Sequence, residues 1–302
     1  MEHVERCPLC AGPHRTLFEG IHDARGPVTY YLCRGCGLVY QSPRMDAGEL
    51  ESFYGQEYRP FVQATDEPTT KDLQVQAARA RTALEMVRPA SLQVTRHLDV
   101  GSSSGAVLLR FREAYGCAGV GIEPGETYRR FSQSQGLTVY PSLDSLSRAG
   151  EGRFDLVSLL HVLEHMPDPI ATLRQLRDAW MAPGAILLVE VPNLIEHEAL
   201  ERAHLFGFTA ATLGETVRQA GFRVSWRRTH GGFRSPVLKL YASLLARAES
   251  GQARPVQVRS TPFGIKLRRR IGRAKRRFFT RHFPDWTWQS PEETPRRSTP
   301  LP

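Results

Sequence analysis

Four of the five cysteines stand in two pairs, Cys7-Pro8-Leu9-Cys10 and Cys33-Arg34-Gly35-Cys36. Two thiolates two residues apart can reach one ion across a tight turn, and two such pairs complete a tetrahedral four-sulfur shell for Zn²⁺. A redox Cys-x-x-Cys would occur singly, at the start of a helix in a βαβ unit. Cys7, Cys10, Cys33 and Cys36 are therefore assigned to zinc. A shell closed by four sulfurs keeps no open coordination position, so its expected task is to stabilise a segment too small to bury its own core. Cys117, just before an apolar strand, reads as a buried hydrophobe rather than a nucleophile.

A second constellation begins at His97-Leu98-Asp99-Val100-Gly101-Ser102-Ser103-Ser104-Gly105, an apolar strand running into a glycine-bearing turn that opens a helix. Such a turn lets backbone lie against a ligand, and Glu123, ending the next strand, can accept hydrogen bonds from both hydroxyls of a ribose. These features alone suit a nicotinamide-binding domain equally well. His161-Val-Leu-Glu164-His165 also matches the H-x-x-E-H pattern of zinc peptidases, which needs a long helix to place both histidines on one face. Here the pattern follows a strand-like run and is cut by Pro167 and Pro169, so the peptidase reading is set aside.

The run from His97 to Gly105 resembles motif I of the class I S-adenosylmethionine-dependent methyltransferases. Gly101 and Gly105 occupy the first and last glycine positions, and Ser103 stands where the middle glycine is usual. Phe154 to Pro169 is similar to the fourth-strand motif of the same superfamily, and the likeness extends over about Leu73 to Arg228. Within it, the chain looks most like ubiquinone-biosynthesis and zinc-ribbon sugar C-methyltransferases. The resemblance implies S-adenosylmethionine as cofactor, contacted by Asp99, Gly101, Ser102, Ser103, Gly105, Glu123, Pro124, Asp144 and His161. A sulfonium methyl is already electrophilic, so the protein mainly aligns an acceptor and excludes water. His161, His165 and His204 are the candidate proton acceptors; His204 lies in a loop that forms part of the acceptor lid in relatives.

The Asn-Pro-Pro-Tyr signature of exocyclic-amine DNA methylation is absent after the fourth strand. A zinc ribbon on this fold resembles both sugar-nucleotide C-methyltransferases and a class of ribosomal RNA methyltransferases, the latter with histidine as a ligand in the second knuckle. Cys36 in that place favours a small-molecule acceptor, such as a nucleotide-linked or lipid-linked sugar. RNA, and a non-catalytic scaffold with a degenerate methyltransferase fold, stay open.

The elements that must position these residues follow βαβ grammar: strands at His97–Val100, Ala118–Ile122, Leu137–Tyr140, Phe154–Leu160 and Ala185–Val191, with helices at Ala106–Tyr115, Tyr128–Gln135 and Ile170–Trp180. A helix at Ala210–Ala220 leads to a strand at Phe222–Arg228, and Pro236–Ala248 suits either a strand or a helix. The expected fold is α/β: a Rossmann-like class I methyltransferase sheet with an N-terminal zinc ribbon and a basic C-terminal tail. The expected boundaries are a ribbon at 1–45, a connector with Tyr58 and Phe61 and a leading helix at 46–94, the cofactor domain at 95–250 and the tail at 251–302. The leading helix carries an apolar stripe at Leu73, Ala77, Ala80, Leu84 and Val87.

The net charge of +9 over 302 residues is not spread evenly. Residues 251–302 hold 13 Lys/Arg against 3 Asp/Glu, so the body is almost neutral, unlike a nucleic-acid enzyme with a basic cleft. Nucleic acid is therefore the less favoured partner. The basic helix expected at Lys266–Phe283, with Ile265, Leu267, Ile271, Phe278 and Phe279 as its apolar side and Trp286 and Trp288 nearby, could dock on anionic lipid or stay solvated. With no apolar run of membrane-spanning length and no signal sequence, a cytoplasmic protein is expected, with peripheral contact at the inner membrane face as the extension.

Overall fold

A computed structural model of the chain describes residues 1–57, 65, 67–90, 93–197, 200–249, 255–258 and 260–287. Tyr58 and Phe61 of the connector and Trp288 of the tail lie outside these residues. Runs such as Phe154–Leu160 are apolar on both faces, which suits central parallel strands covered by helices on either side. Five strands form that parallel core: β4 (Arg96–Val100), β5 (Ala118–Ile122), β6 (Thr138–Tyr140), β7 (Phe154–Leu160) and β8 (Met181–Pro192). β11 (Tyr241–Ala248) adds antiparallel to β8 and β10 (Phe222–His230) antiparallel to β11, giving the order β10-β11-β8-β7-β4-β5-β6. The segment left open between strand and helix, Pro236–Ala248, is thus a strand over its second half, and Leu244 and Ala246 are buried where it lies between β8 and β10. The chain leaves β4 toward β5 and β6, then crosses to β7 and β8, so the switch point falls at the carboxyl end of β4, where α/β sheets bind ligands.

After a short helix α1 (Ala47–Ser52), the leading helix α2 (Thr70–Val87) is capped by the Thr69 side chain and packs against α3 (Ala106–Tyr115). Its buried positions are Ala78, Ala80, Ala83, Leu84 and Val87, so Ala77 of the expected stripe faces outward. Ala80 and Ala83 on the inward face let the helix approach Val107 and Phe111 closely. Cys117 is buried in the same cluster. α4 (Glu126–Ser134), α5 (Leu143–Arg148), α6 (Pro169–Gln175) and α7 (Ala210–Gln219) complete the layers, and α6 runs on into a wider π-helical turn at Leu176–Trp180.

The cysteine segment forms its own sheet of β1 (Arg15–Asp23), β2 (Gly26–Cys33) and β3 (Val39–Gln41), whose fourth strand comes from elsewhere. β9 (Phe206–Gly207), in the loop after β8, pairs antiparallel with β3. The basic segment is helical over α8 (Pro262–His282), and this helix is docked rather than free. Ile265 enters the cluster of Tyr30, Leu32 and Val39, while Arg269, buried, bonds the Leu194 carbonyl and Glu19. Gly272 passes the Ile195 carbonyl so closely that a Cβ would lie 2.3 Å from its oxygen. The expected apolar side is therefore split: Ile265 turns inward, and Phe279 packs near Leu238 and Leu240, whereas Leu267, Ile271 and Phe278 face out. Buried carbonyls and Glu19 offer partners to guanidinium groups, which is why arginine, not leucine, sits at the contact.

Candidate active site

The turn after β4 alternates left-handed residues, with φ of 74° at Gly101, 49° at Ser103 and 77° at Gly105. A Cβ on Gly101 would stand 2.4 Å from Val162 Cγ2, and one on Gly105 2.3 Å from Leu137 Cδ1. Both glycines are thus sterically required. Ser103 tolerates the same backbone at a cost of about 1–2 kcal/mol for a left-handed L-residue. Gly101→Ala is expected to cost about 2–5 kcal/mol from that strain and overpacking, whereas Ser103→Gly should be neutral or stabilising by up to about 1 kcal/mol. Thermal unfolding of the two variants checks both signs.

Glu123 closes the turn: its Oε2 accepts from Ser103 N and its Oε1 from Gly125 N, each at 2.9 Å. A carboxylate oxygen can accept a ligand hydroxyl besides a backbone N–H. Ser102 lines the same cleft, and its Oγ, buried with no hydrogen-bond partner, abuts Gly121 so closely that a Cβ there would lie 2.5 Å away. Asp99 lies beneath, where its Oδ1 accepts from Ser158 Oγ, which in turn contacts His97 Nε2 at 2.7 Å. Burial pushes the Asp99 carboxyl up to about 7 and the His97 imidazole down to about 3.

A cleft of about 1190 Å³ runs along this turn and onward over the end of the sheet. It exceeds the range of about 300–1,000 Å³ usual for a single small ligand, leaving space for cofactor and acceptor together. Asp99, Gly101, Ser102, Ser103, Glu123, Pro124, Asp144, His161, His165 and His204 all line it. Gly105 does not; it shapes the turn from behind, donating to the Ser102 carbonyl.

The three histidines converge at the far end. His161 has φ 58°, a strained left-handed backbone at the end of β7, and its Nε2 lies 3.1 Å from Glu190 Oε1. Glu190 also accepts from Ser243 Oγ at 2.9 Å and faces His230 at 3.3 Å. Burial alone would raise its carboxyl, but the bonds to His161 and His230 outweigh it and hold Glu190 below the usual carboxylate range. Burial lowers His161 to about 4 and His165 to about 3, so both rings are neutral near pH 7. Glu164, 1% exposed, is pushed up to about 8 by burial. The H-x-x-E-H residues sit on a single tight turn rather than a helix, as the prolines imply.

Residues not assigned to the site from the sequence complete the chamber: Tyr54, Arg79, His197, Glu201, Arg234, Tyr241 and Arg276 line it, and Glu190 backs His161. His197 and Glu201 could have been found by their proximity to His204 in one loop. Arg276, from α8, carried no such signal, because only the docking of the helix brings it to the cleft.

The ribbon reaches this chamber through backbone. The Tyr30 hydroxyl lies 2.6 Å from the carbonyls of both Glu201 and His204, and Gln41 Nε2 donates to the His204 carbonyl at 2.7 Å. Arg202 forms a forked pair with Asp23 at 2.7 and 2.8 Å. The four cysteine sulfurs lie within 4.8 Å of one another, with Cys7–Cys36 and Cys10–Cys33 at 3.5 Å. Zn–S bonds of about 2.3 Å in a tetrahedron place sulfurs about 3.8 Å apart, so the set fits zinc.

With this glycine turn, the acidic residue that follows β5 and the switch-point cleft, the architecture is that of the class I S-adenosylmethionine-dependent methyltransferases. A family model described as a methyltransferase domain matches residues 70–225, more than half of the chain, and the chain belongs to that family. It is 34% identical over 99 residues to a tRNA U34 carboxymethyltransferase of Dichelobacter nodosus (strain VCS1703A), a match that spans 30% of this chain and 31% of that relative's length. Among solved structures, the Burkholderia thailandensis 1,6-didemethyltoxoflavin-N1-methyltransferase, bound to 1,6-didemethyltoxoflavin and S-adenosylhomocysteine, superposes with a TM-score of 0.55 at 18% identity. That match covers 77% of this chain and 100% of the other, and it speaks for the fold.

Proposed function

We propose that this protein transfers the methyl group of S-adenosylmethionine to a small anionic acceptor, of the class of nucleotide-linked or lipid-linked sugars, and that the ribbon holds a structural Zn²⁺. The carrying observation is the cleft that continues from the glycine turn into a chamber lined by His161, His165 and His204 together with Arg79, Arg234 and Arg276. Guanidinium groups suit the phosphates of such an acceptor, and neutral imidazoles suit removal of its proton. His161 donates its Nε2 proton to Glu190 and keeps Nδ1 as an open lone pair.

The test is transfer of isotopically labelled methyl from S-adenosylmethionine to a panel of nucleotide sugars, with ribosomal RNA and tRNA alongside. Label in a nucleotide sugar is expected. The partial likeness to a tRNA-modifying enzyme supports the RNA arm, and label in RNA alone would overturn the small-molecule reading.

A peripheral membrane location is the second part of the proposal. Among the described residues no helix is long and apolar enough to cross a membrane. The outward side of α8, however, presents Phe263 (75% exposed), Leu267, Ile271 and Phe278 along one stripe, flanked by exposed Arg268, Arg270, Arg277 and Arg281. An apolar stripe between cations suits the anionic face of a bilayer. Because α8 also clamps the ribbon, deleting the segment would confound folding with binding. Leu267→Asp with Ile271→Asp leaves the docked side intact and is expected to abolish co-sedimentation with phosphatidylglycerol-containing vesicles. Sedimentation equal to that of the wild type would refute the lipid contact.

A further inference from the structure

We propose that Glu164, His165 and His204 form a second metal site, for a divalent first-row transition ion, in the wall of the cleft. One oxygen of Glu164 and one ring nitrogen from each histidine lie within 4.8 Å of one another, and neither oxygen of this buried carboxylate has a hydrogen-bond partner. Glu164 Oε1 stands 3.9 Å from His165 Nε2, 4.0 Å from His204 Nε2 and 3.9 Å from His161 Nδ1. All three separations are too long for hydrogen bonds.

The ring contacts sharpen the point. His165 Nδ1 lies 2.7 Å from the Ala203 carbonyl and 2.8 Å from the Tyr54 hydroxyl, which anchors the ring with Nε2 on the side of Glu164. His161 donates Nε2–H to Glu190 and turns the lone pair of Nδ1 inward. A ring nitrogen from each of two histidines thus faces a buried carboxyl without a hydrogen-bond partner, and a cation entering there would displace the carboxyl proton and satisfy the group. Two ligands about 2.1 Å from one ion can be up to about 4.2 Å apart, so the observed spacings are within reach. A ligating histidine whose other nitrogen donates to a backbone carbonyl is the usual support for such a site.

Two imidazoles and one carboxylate suit a divalent transition ion and, unlike the four-cysteine shell, leave coordination positions free. Glu201 Oε1, 3.2 Å from His204 Nε2, competes for that nitrogen and must yield when the ion enters. His165 and His204 both line the cleft, so the free positions face the chamber. An acceptor hydroxyl bound there would lose its proton more readily. That role rests on the methyl-transfer reading and reassigns His165 and His204 from proton acceptors to ligands, with His161 left as the base; ion binding itself does not depend on it.

The experiment is titration of the full, zinc-loaded chain with Co²⁺, followed by visible absorption. One equivalent is expected to give weak ligand-field bands without thiolate charge transfer, and Glu164→Gln and His204→Gln should each weaken binding by about a hundredfold or more. Charge-transfer bands alone would mean that cobalt enters only the ribbon, and would overturn the proposal. Unchanged affinity in two variants that keep the wild-type melting temperature would do the same. Calorimetry with S-adenosylmethionine on the cobalt-free sample separates the two readings: failure there counts against methyl transfer, not against the ion site.

Discussion

Glu123→Ala is expected to weaken S-adenosylmethionine binding by about a hundredfold, or about 3 kcal/mol, because a carboxylate hydrogen bond contributes about 1.5–3 kcal/mol and two ribose hydroxyls would lose theirs. The same carboxylate holds Ser103 N and Gly125 N, so its removal also loosens the turn that must lie against the cofactor. Glu123→Gln keeps one acceptor oxygen and should fall between alanine and the wild type. Calorimetric titration of the three proteins with S-adenosylmethionine and S-adenosylhomocysteine gives the comparison. Equal affinity for all three would remove Glu123 from the cofactor site, and no binding by the wild type would favour a scaffold.

The second large effect concerns the ribbon, which is far from the glycine turn in sequence but joined to the acceptor loop. Cys36→Ser, or chelation of the ion, is expected to unpair β3 from β9 and release the Tyr30 and Gln41 contacts to the His204 carbonyl. Structural zinc contributes folding free energy directly, on the order of 10 kcal/mol in isolated ribbon-sized peptides, so the segment should not hold its shape without it. Displacing His204 by about 1 Å is enough to lower turnover by about a hundredfold. Cofactor affinity, set by β4, β5 and their turn, should change by less than about threefold, as for distant sites that share no partners. Hydrogen exchange of the Leu205–Phe208 amides, with zinc content and cofactor titration on the same sample, reads this split. Unaltered exchange in the metal-free protein would show that the ribbon is not the support of the loop.

Much of this could be read along the chain because it is local. The apolar runs at Phe154–Leu160 and Ala118–Ile122 are strands at those residues, and the helix at Ala106–Tyr115 begins after Gly105, whose left-handed backbone leaves no room for a side chain. Period and turn chemistry act over a few residues, so they survive whatever packs around them. The π-helical turn after Gln175 and the strand at Tyr241–Ala248 were less legible. The latter is apolar on both faces because it lies between β8 and β10, and such a run has no period to distinguish strand from helix.

The sequence by itself determined the parallel sheet, the glycine turn that Glu123 closes, and the pairing of cysteines into one cluster, since each depends on short spacings within one segment. Tertiary structure alone decided what stands around the histidine end of the cleft. It joined the ribbon to the His204 loop through β9, brought Arg276 to the cleft by docking α8, and set Glu164 among three histidines without a hydrogen-bond partner. Such contacts link residues 174 and 250 positions apart, as Tyr30 to His204 and Glu19 to Arg269 do. They are settled by which faces bury together and which carbonyls a guanidinium can reach, and neither quantity exists until the chain is folded.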